Sequence, residues 1–229
     1  MSMRKRIEGL FDRQVADLVA RQEFQDLENG RASPQDYDRF VASVVRTHLK
    51  SPQLVAFLYA LAPPRAADHL RHNLLEELGI EDEAGVAHPS LLEDLARGSG
   101  LGARLAEFEA LAASDIRKFA GDPLLYGTLR DVGLAALCEV TAFEFMLSRL
   151  ASRFARALAS RRGLSAASLR WFTHHSEVDV RHAEQGLDDL VEYIRAYEFS
   201  EEDAWTIVDM TLRENVFVKR YFGEMSVRL

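Results

Sequence analysis

No stretch of this chain alternates apolar and polar residues with the period of a β-strand, whereas apolar residues recur at helical spacing almost from end to end. Helix-on-helix packing is then the way such a chain buries a core. "SPQDYDRFVASVVRTHL" opens with Ser33 as a predicted N-cap and Pro34 at the first helical position, and "SPQLVAFLYALAP" repeats the device at Ser51 and Pro52. "RAADHLRHNLLEELG" runs to a terminal Gly79, and after the charged connector "IEDEAGVA" a short helix resumes at "HPSLLEDLARGSG". "GARLAEFEALAASDIRKFAG" and a long apolar segment ending at "ALASRRG" follow, then a helix from near Ser168. Ser200 with Asp203 three residues on gives the last segment a capping-box-like start. Short joins and no repeat period predict about eight helices in one all-α domain spanning residues 1–229.

Composition sets the outer bounds. At 48% hydrophobic and 28% charged residues the chain reads as folded globular material. A net charge of −8 argues against a nucleic-acid partner, which would need a basic footprint. The single cysteine, Cys138, excludes an internal disulfide and a Cys-ligated zinc site within the chain. The basic N-terminus is interrupted by Glu8, Asp12 and Asp17, and no apolar run of about 18 residues occurs, so no membrane span and a soluble, cytoplasmic protein are expected.

Acids on apolar faces carry the chemical information. Within "LAALCEVTAFEFMLSRL", Glu144 shares its stripe with Leu137, Val140, Thr141, Leu147 and Ala151, while Glu139 lies with Ala135, Ala136, Phe143 and Met146. Burying an ionised carboxylate costs several kcal/mol unless something compensates it. A metal ion would do so, and so would an arginine from a neighbouring helix or a raised pKa. Glu77 follows Leu70, Asn73 and Leu74 toward the core, whereas Glu76 falls on a more polar face with His69 and His72, which read as surface residues. His88 opens the next short helix, just before Pro89. In "FTHHSEVDVRHAEQGLDDL", His175, Asp179 and His182 stand at i, i+4 and i+7 and share one stripe, and His174 projects elsewhere.

Three carboxylates (Glu77, Glu144, Asp179) and three imidazoles (His88, His175, His182) therefore come from four helical segments. Mixed ligation of this kind in a helical bundle suits iron or manganese, while zinc favours fewer carboxylates and a four-coordinate shell. The chain has no Glu-x-x-His motif, so the ferritin-like arrangement is excluded.

These residues resemble the haem-oxygenase-like dimetal-carboxylate oxidases. The resemblance rests on "NLLEELG" with Glu77, "HPSLLEDLARGSGL" with His88, "VTAFEF" with Glu144 and "WFTHHSEVDVRH" with His175, Asp179 and His182, in that order over roughly residues 70–190. It implies a bundle of seven or eight helices without haem, holding two iron ions or an iron–manganese pair on those six residues. The family uses dioxygen to oxidise small organic substrates, by N-oxygenation, by oxidative C–C cleavage of fatty or amino acids, or by self-sacrificing formation of an aminobenzoate. Related bundles often pair through an apolar face, so a homodimer is compatible with the sequence.

The connector departs from the family pattern. Its extra acids Glu81, Asp82 and Glu83 leave Glu81 or Glu76 as alternatives to Glu77, and the proline that often follows the central glutamate is absent. Glu139, Asn73 and Asp189 are candidates for orienting the ligands. Tyr37, Tyr59 and Tyr126 read as packing residues. The same fold hosts thiaminase-like hydrolases with a cysteine nucleophile on the central helix, which makes Cys138 the alternative catalytic residue. A third reading is an interaction module without catalysis. Cys138 has no cation beside it in sequence to lower its pKa.

Overall fold

The computed structural model describes residues 1–81, 85–121 and 127–223, with backbone alone for 118–121. These residues form eleven α-helices, one 3-10 turn and no strand. In chain order they are α1 (Met3–Ala20), α2 (Gln22–Asn29), α3 (Pro34–His48), α4 (Ser51–Leu61), α5 (Pro64–Glu77), α6 (His88–Gly98), the turn Gly102–Arg104, α7 (Leu105–Gly121), α8 (Leu129–Arg162), α9 (Arg170–Ala196), α10 (Glu201–Leu212) and α11 (Val216–Phe222). The number exceeds seven or eight in part because two segments break. Arg21 adopts an extended backbone between α1 and α2, and Glu214 and Asn215 take positive φ between α10 and α11.

Local chemistry explains the boundaries. Ser33 and Asp36 form a reciprocal capping box at α3, as Thr128 and Asp131 do at α8. Ser200 accepts from the Asp203 N–H at the start of α10. Ser51 departs from its expected role. It is the first residue of α4 rather than its cap, and its hydroxyl is used elsewhere.

The two longest helices, α8 and α9, form the spine. α8 has 34 residues and is roughly 50 Å long. Small residues let the two backbones approach. A Cβ built on Gly186 of α9 would lie 2.6 Å from Thr141 Oγ1 on α8, and one on Gly133 would overlap Tyr193 Oη. Around this pair the core is aromatic: Phe40 packs on Phe154 at 5.0 Å and on Phe222 at 5.4 Å between ring centroids, so α3 and α11 are held to α8. The α8–α9 spine then carries four of the six expected ligands, while α5 and α6 lay the other two against it.

Candidate metal centre

The buried face of α5 runs Ala66, Leu70, Asn73 and Glu77, which is the helical repeat expected of its sequence. It ends in a left-handed turn at Gly79 (φ 71°), where a Cβ would meet the Ala87 backbone nitrogen at 2.5 Å. That fold-back returns the chain beside Glu77. His88, the first residue of α6 and 2% exposed, places Nδ1 3.1 Å from Glu77 Oε1. Ser51 donates to Glu77 Oε2 at 2.6 Å and fixes the other oxygen.

On α9, His175 Nδ1 lies 2.7 Å from the Trp171 carbonyl. A carbonyl can only accept, so the ring proton sits on Nδ1 and Nε2 keeps the lone pair. Single ligand atoms of Glu77, His88 and His175 all lie within 4.8 Å of one another. Two imidazoles and one carboxylate with room for further ligands are a donor set suited to non-haem ferrous iron. His174 does not project away as expected: its Nε2 is 3.0 Å from His88 Nε2, on the far side of that ring from Glu77.

Glu144, Asp179 and His182 line the same cavity. Asn73 donates to Glu144 Oε1 at 2.7 Å, and His182 Nδ1 lies 3.5 Å from Asp179 Oδ1. The opposite nitrogen of His182, Nε2, is 2.6 Å from Glu76 Oε2, and Arg181 also bonds Glu76. All six residues line one cavity of about 120 Å³. Its remaining wall includes Leu54, Val55, Ala112, Ile116, Phe143 and Leu147.

Burial is the largest influence on the acidities of Glu144, Asp179 and His175. Burial pushes Glu144 up to about 8, against the opposing pull of His182. Among the described residues no lysine or arginine pairs with Glu144, whose Oε1 accepts from Asn73. Burial likewise raises Asp179 to about 6, again against His182. For His182 burial works against the charge, but Asp179 and Glu76 outweigh it and push the imidazole up to about 10. Burial holds His175 well below the usual imidazole range. Glu77 is the exception among the acids: burial would raise it, but His88 and Ser51 bring it below its ordinary value.

Several sequence expectations part ways with the geometry. Glu81 pairs with His72 at 2.7 Å rather than lining the cavity, and Glu76 backs His182, so neither displaces Glu77. Asp82, Glu83 and Tyr126 lie outside the described residues. Of the candidate orienting residues only Asn73 touches a ligand position. Glu139 is held by Arg220 at 2.7 Å, and Asp189 by His69 at 2.8 Å. Tyr37 donates to the Leu27 carbonyl and Tyr59 is exposed. Cys138 is fully buried, is not part of the cavity wall, and burial drives its thiol strongly upward, which removes the thiolate a nucleophile needs.

Sequence reasoning gave no part in the site to the Ser51 hydroxyl, to His174 or to His48, which also lines the cavity, and it offered Glu76 as an alternative ligand rather than as a partner of His182. A histidine adjacent to His175 was the available signal for His174. Helical phase alone turned it away from the site.

One atom tests whether a metal suits this place. Asp179 Oδ2 is fully buried and no donor reaches it among the described residues. An orphaned carboxylate oxygen among three imidazoles and two further carboxylates fits a divalent cation. The sequence agrees, since residues 38–213 match the family model described as iron-containing redox enzyme, a span that contains all six. The chain belongs to the iron-containing redox enzymes. Membership brings the haem-oxygenase-like helical fold and an oxidoreductase type of activity. No curated protein matches the chain in sequence. Among the described residues no helix is long and apolar enough to cross a membrane.

Proposed function

We propose that this iron-containing redox enzyme is an oxygen-dependent non-haem oxidase or oxygenase acting on a small organic molecule, with two iron ions held by Glu77, His88, Glu144, His175, Asp179 and His182. The observation that carries the reading is the convergence of these six side chains on one cavity, with ligand atoms of Glu77, His88 and His175 within 4.8 Å of one another. These three would hold one ion. Glu144, Asp179 and His182 would hold the other. An iron–manganese pair would be held by the same donors.

Bound iron would supply dioxygen activation and the electrons of the oxidation. The chain supplies position and dryness. Ser51 holds Glu77, Asn73 holds Glu144, the Trp171 carbonyl fixes the His175 tautomer and Glu76 braces His182. Leu54, Val55, Phe143 and Leu147 give the substrate an apolar wall and exclude water from the reacting face. Two ion pairs, Arg46–Asp115 and Arg220–Glu139, border the same space and would meet the polar end of a substrate. The net charge of −8 supports a small-molecule role over a nucleic-acid one. The hydrolase alternative loses its support with Cys138 buried away from the cavity.

Anaerobic loading with ferrous ion, desalting and metal analysis tests the reading directly. The expected result is about two iron ions per chain and an absorption change when oxygen is admitted. Failure to retain either iron or manganese would sink it.

A further inference from the structure

Five tyrosines lie among the described residues, and their hydroxyls differ in one respect. Tyr37, Tyr193 and Tyr197 donate to the backbone carbonyls of Leu27, Arg130 and Leu61. Tyr59 is 42% exposed. Tyr221 alone among these five is bonded to a base, with its hydroxyl 2.6 Å from His48 Nε2. A carbonyl cannot take a phenolic proton away, whereas an imidazole nitrogen can.

The surroundings of this pair are specific. Tyr221 is fully buried and caged by Phe40, Phe143 and Phe154 at ring-centroid distances of 5.7, 5.6 and 6.0 Å. His48 stacks against Trp171 at 4.9 Å, and Trp171 lies 4.3 Å from the ring of His175, to which its carbonyl is also bonded. A continuous run of aromatic contacts therefore connects a histidine of the candidate metal centre to a phenol with its own proton acceptor. Burial holds His48 down at about 3, so the ring is neutral and Nε2 is free to accept when Nδ1 carries the proton.

We propose that Tyr221 is a redox-active tyrosine that gives one electron, by way of His48, Trp171 and His175, to an oxidised iron ion in the cavity while its proton moves to His48 Nε2. The inference rests on the iron reading of that cavity. In the step the Tyr221 O–H bond breaks and an N–H bond forms on His48. The phenol is oxidised to a neutral tyrosyl radical, and one ferric or higher-valent iron is reduced by one electron. An oxidised phenol is a strong acid, so even a buried imidazole takes its proton. The carboxylate of Glu77 acts electrostatically to favour the imidazolium that results. The apolar cage protects the radical from solvent.

The first arm of the test needs no metal. Metal-free protein is oxidised by flash illumination with a photosensitiser and a sacrificial electron acceptor, then frozen for electron paramagnetic resonance. The expected tyrosyl spectrum is lost in Tyr221→Phe and kept in Tyr37→Phe. In His48→Phe the radical loses its deuterium-exchangeable hydrogen-bond coupling. A tyrosyl signal that survives Tyr221→Phe unchanged overturns the assignment. In the second arm, ferrous-loaded protein given oxygen should show the same spectrum, formed more slowly in Trp171→Phe at equal iron content. Iron that oxidises with no tyrosyl signal overturns the relay alone, whereas a chain that takes up no iron overturns the cavity reading and the relay together.

Discussion

Glu76 and Glu77 are neighbours in sequence that serve opposite sides of the same centre. Glu77 faces His88 within the cavity, and Glu76 Oε2 stands 2.6 Å behind His182 Nε2. A carboxylate behind an imidazole fixes its orientation and raises its basicity. Glu76→Gln is expected to weaken iron binding about 10- to 100-fold with little change in fold. Competition against a chelator of known affinity measures it, and unchanged affinity would show that Glu76 does no more than salt-bridge Arg181.

Glu144 makes the metal-free protein sensitive to pH. Its folded-state value of about 8 lies above the ordinary 4.5, so the folded state holds the proton more tightly than the unfolded chain. The resulting stability is fully present below pH 4.5 and is lost as pH rises toward 8. Glu144→Gln keeps an oxygen for Asn73 and removes the charge. Metal-free Glu144→Gln should match the parent near the acid end of that window and exceed it by up to several kcal/mol at the alkaline end, as read by urea unfolding.

Metal loading should reverse that penalty. A cation that binds only the folded state stabilises it by about 4 kcal/mol when present at a thousandfold excess over its dissociation constant. The melting temperature should rise on adding ferrous ion anaerobically and return on chelation. The rise should vanish in Asp179→Asn, since its buried Oδ2 has no other partner among the described residues.

Gly186→Ala tests the contact between the two ligand-bearing helices. The new methyl would overlap Thr141 Oγ1 and Cγ2, at 2.6 and 2.7 Å, and overpacking of this kind costs roughly 1–3 kcal/mol. Combining it with Thr141→Ala should restore most of the loss, so the double-mutant cycle gives a coupling energy of opposite sign to the single effects. Purely additive losses would place the strain elsewhere.

Cys138→Ala should leave any oxygen-dependent activity intact. The thiol is buried beside Glu139 rather than in the cavity wall, so its loss costs about 1 kcal/mol of packing at most. Loss of activity at unchanged iron content would reopen the hydrolase reading.

The helices and the six cavity residues were legible because periodicity is a local property. His175, Asp179 and His182 share a face whatever packs against it, and Leu70, Asn73 and Glu77 likewise. The physical cause that separates Glu139 from Glu144 was not legible. Both sit on apolar stripes, and the difference is Arg220, 81 residues further on, which reaches only Glu139. Ser51 was misread for a similar reason: a serine before proline is an ordinary cap until a carboxylate 26 residues away competes for its hydroxyl. His174 was set aside by helical phase, and Glu76 was offered as a ligand rather than as the partner of His182, because phase describes one helix and not the side chains that a second helix brings to its flank. The breaks at Arg21 and at Glu214–Asn215 depend on backbone angles that no glycine or proline announces.

The two walls of the cavity have different origins. The wall that carries the six candidate ligands comes from α5, α6 and the α8–α9 spine, where close backbone approach leaves little room for substitution. Much of the opposite wall, with Leu54, Val55, Ala112 and Ile116, comes from α4 and α7. Exchanges there would reshape the space without moving a ligand. On the proposed reading the scaffold would separate the residues that make a reaction available from those that choose what undergoes it, so that one chemistry could be offered to many molecules.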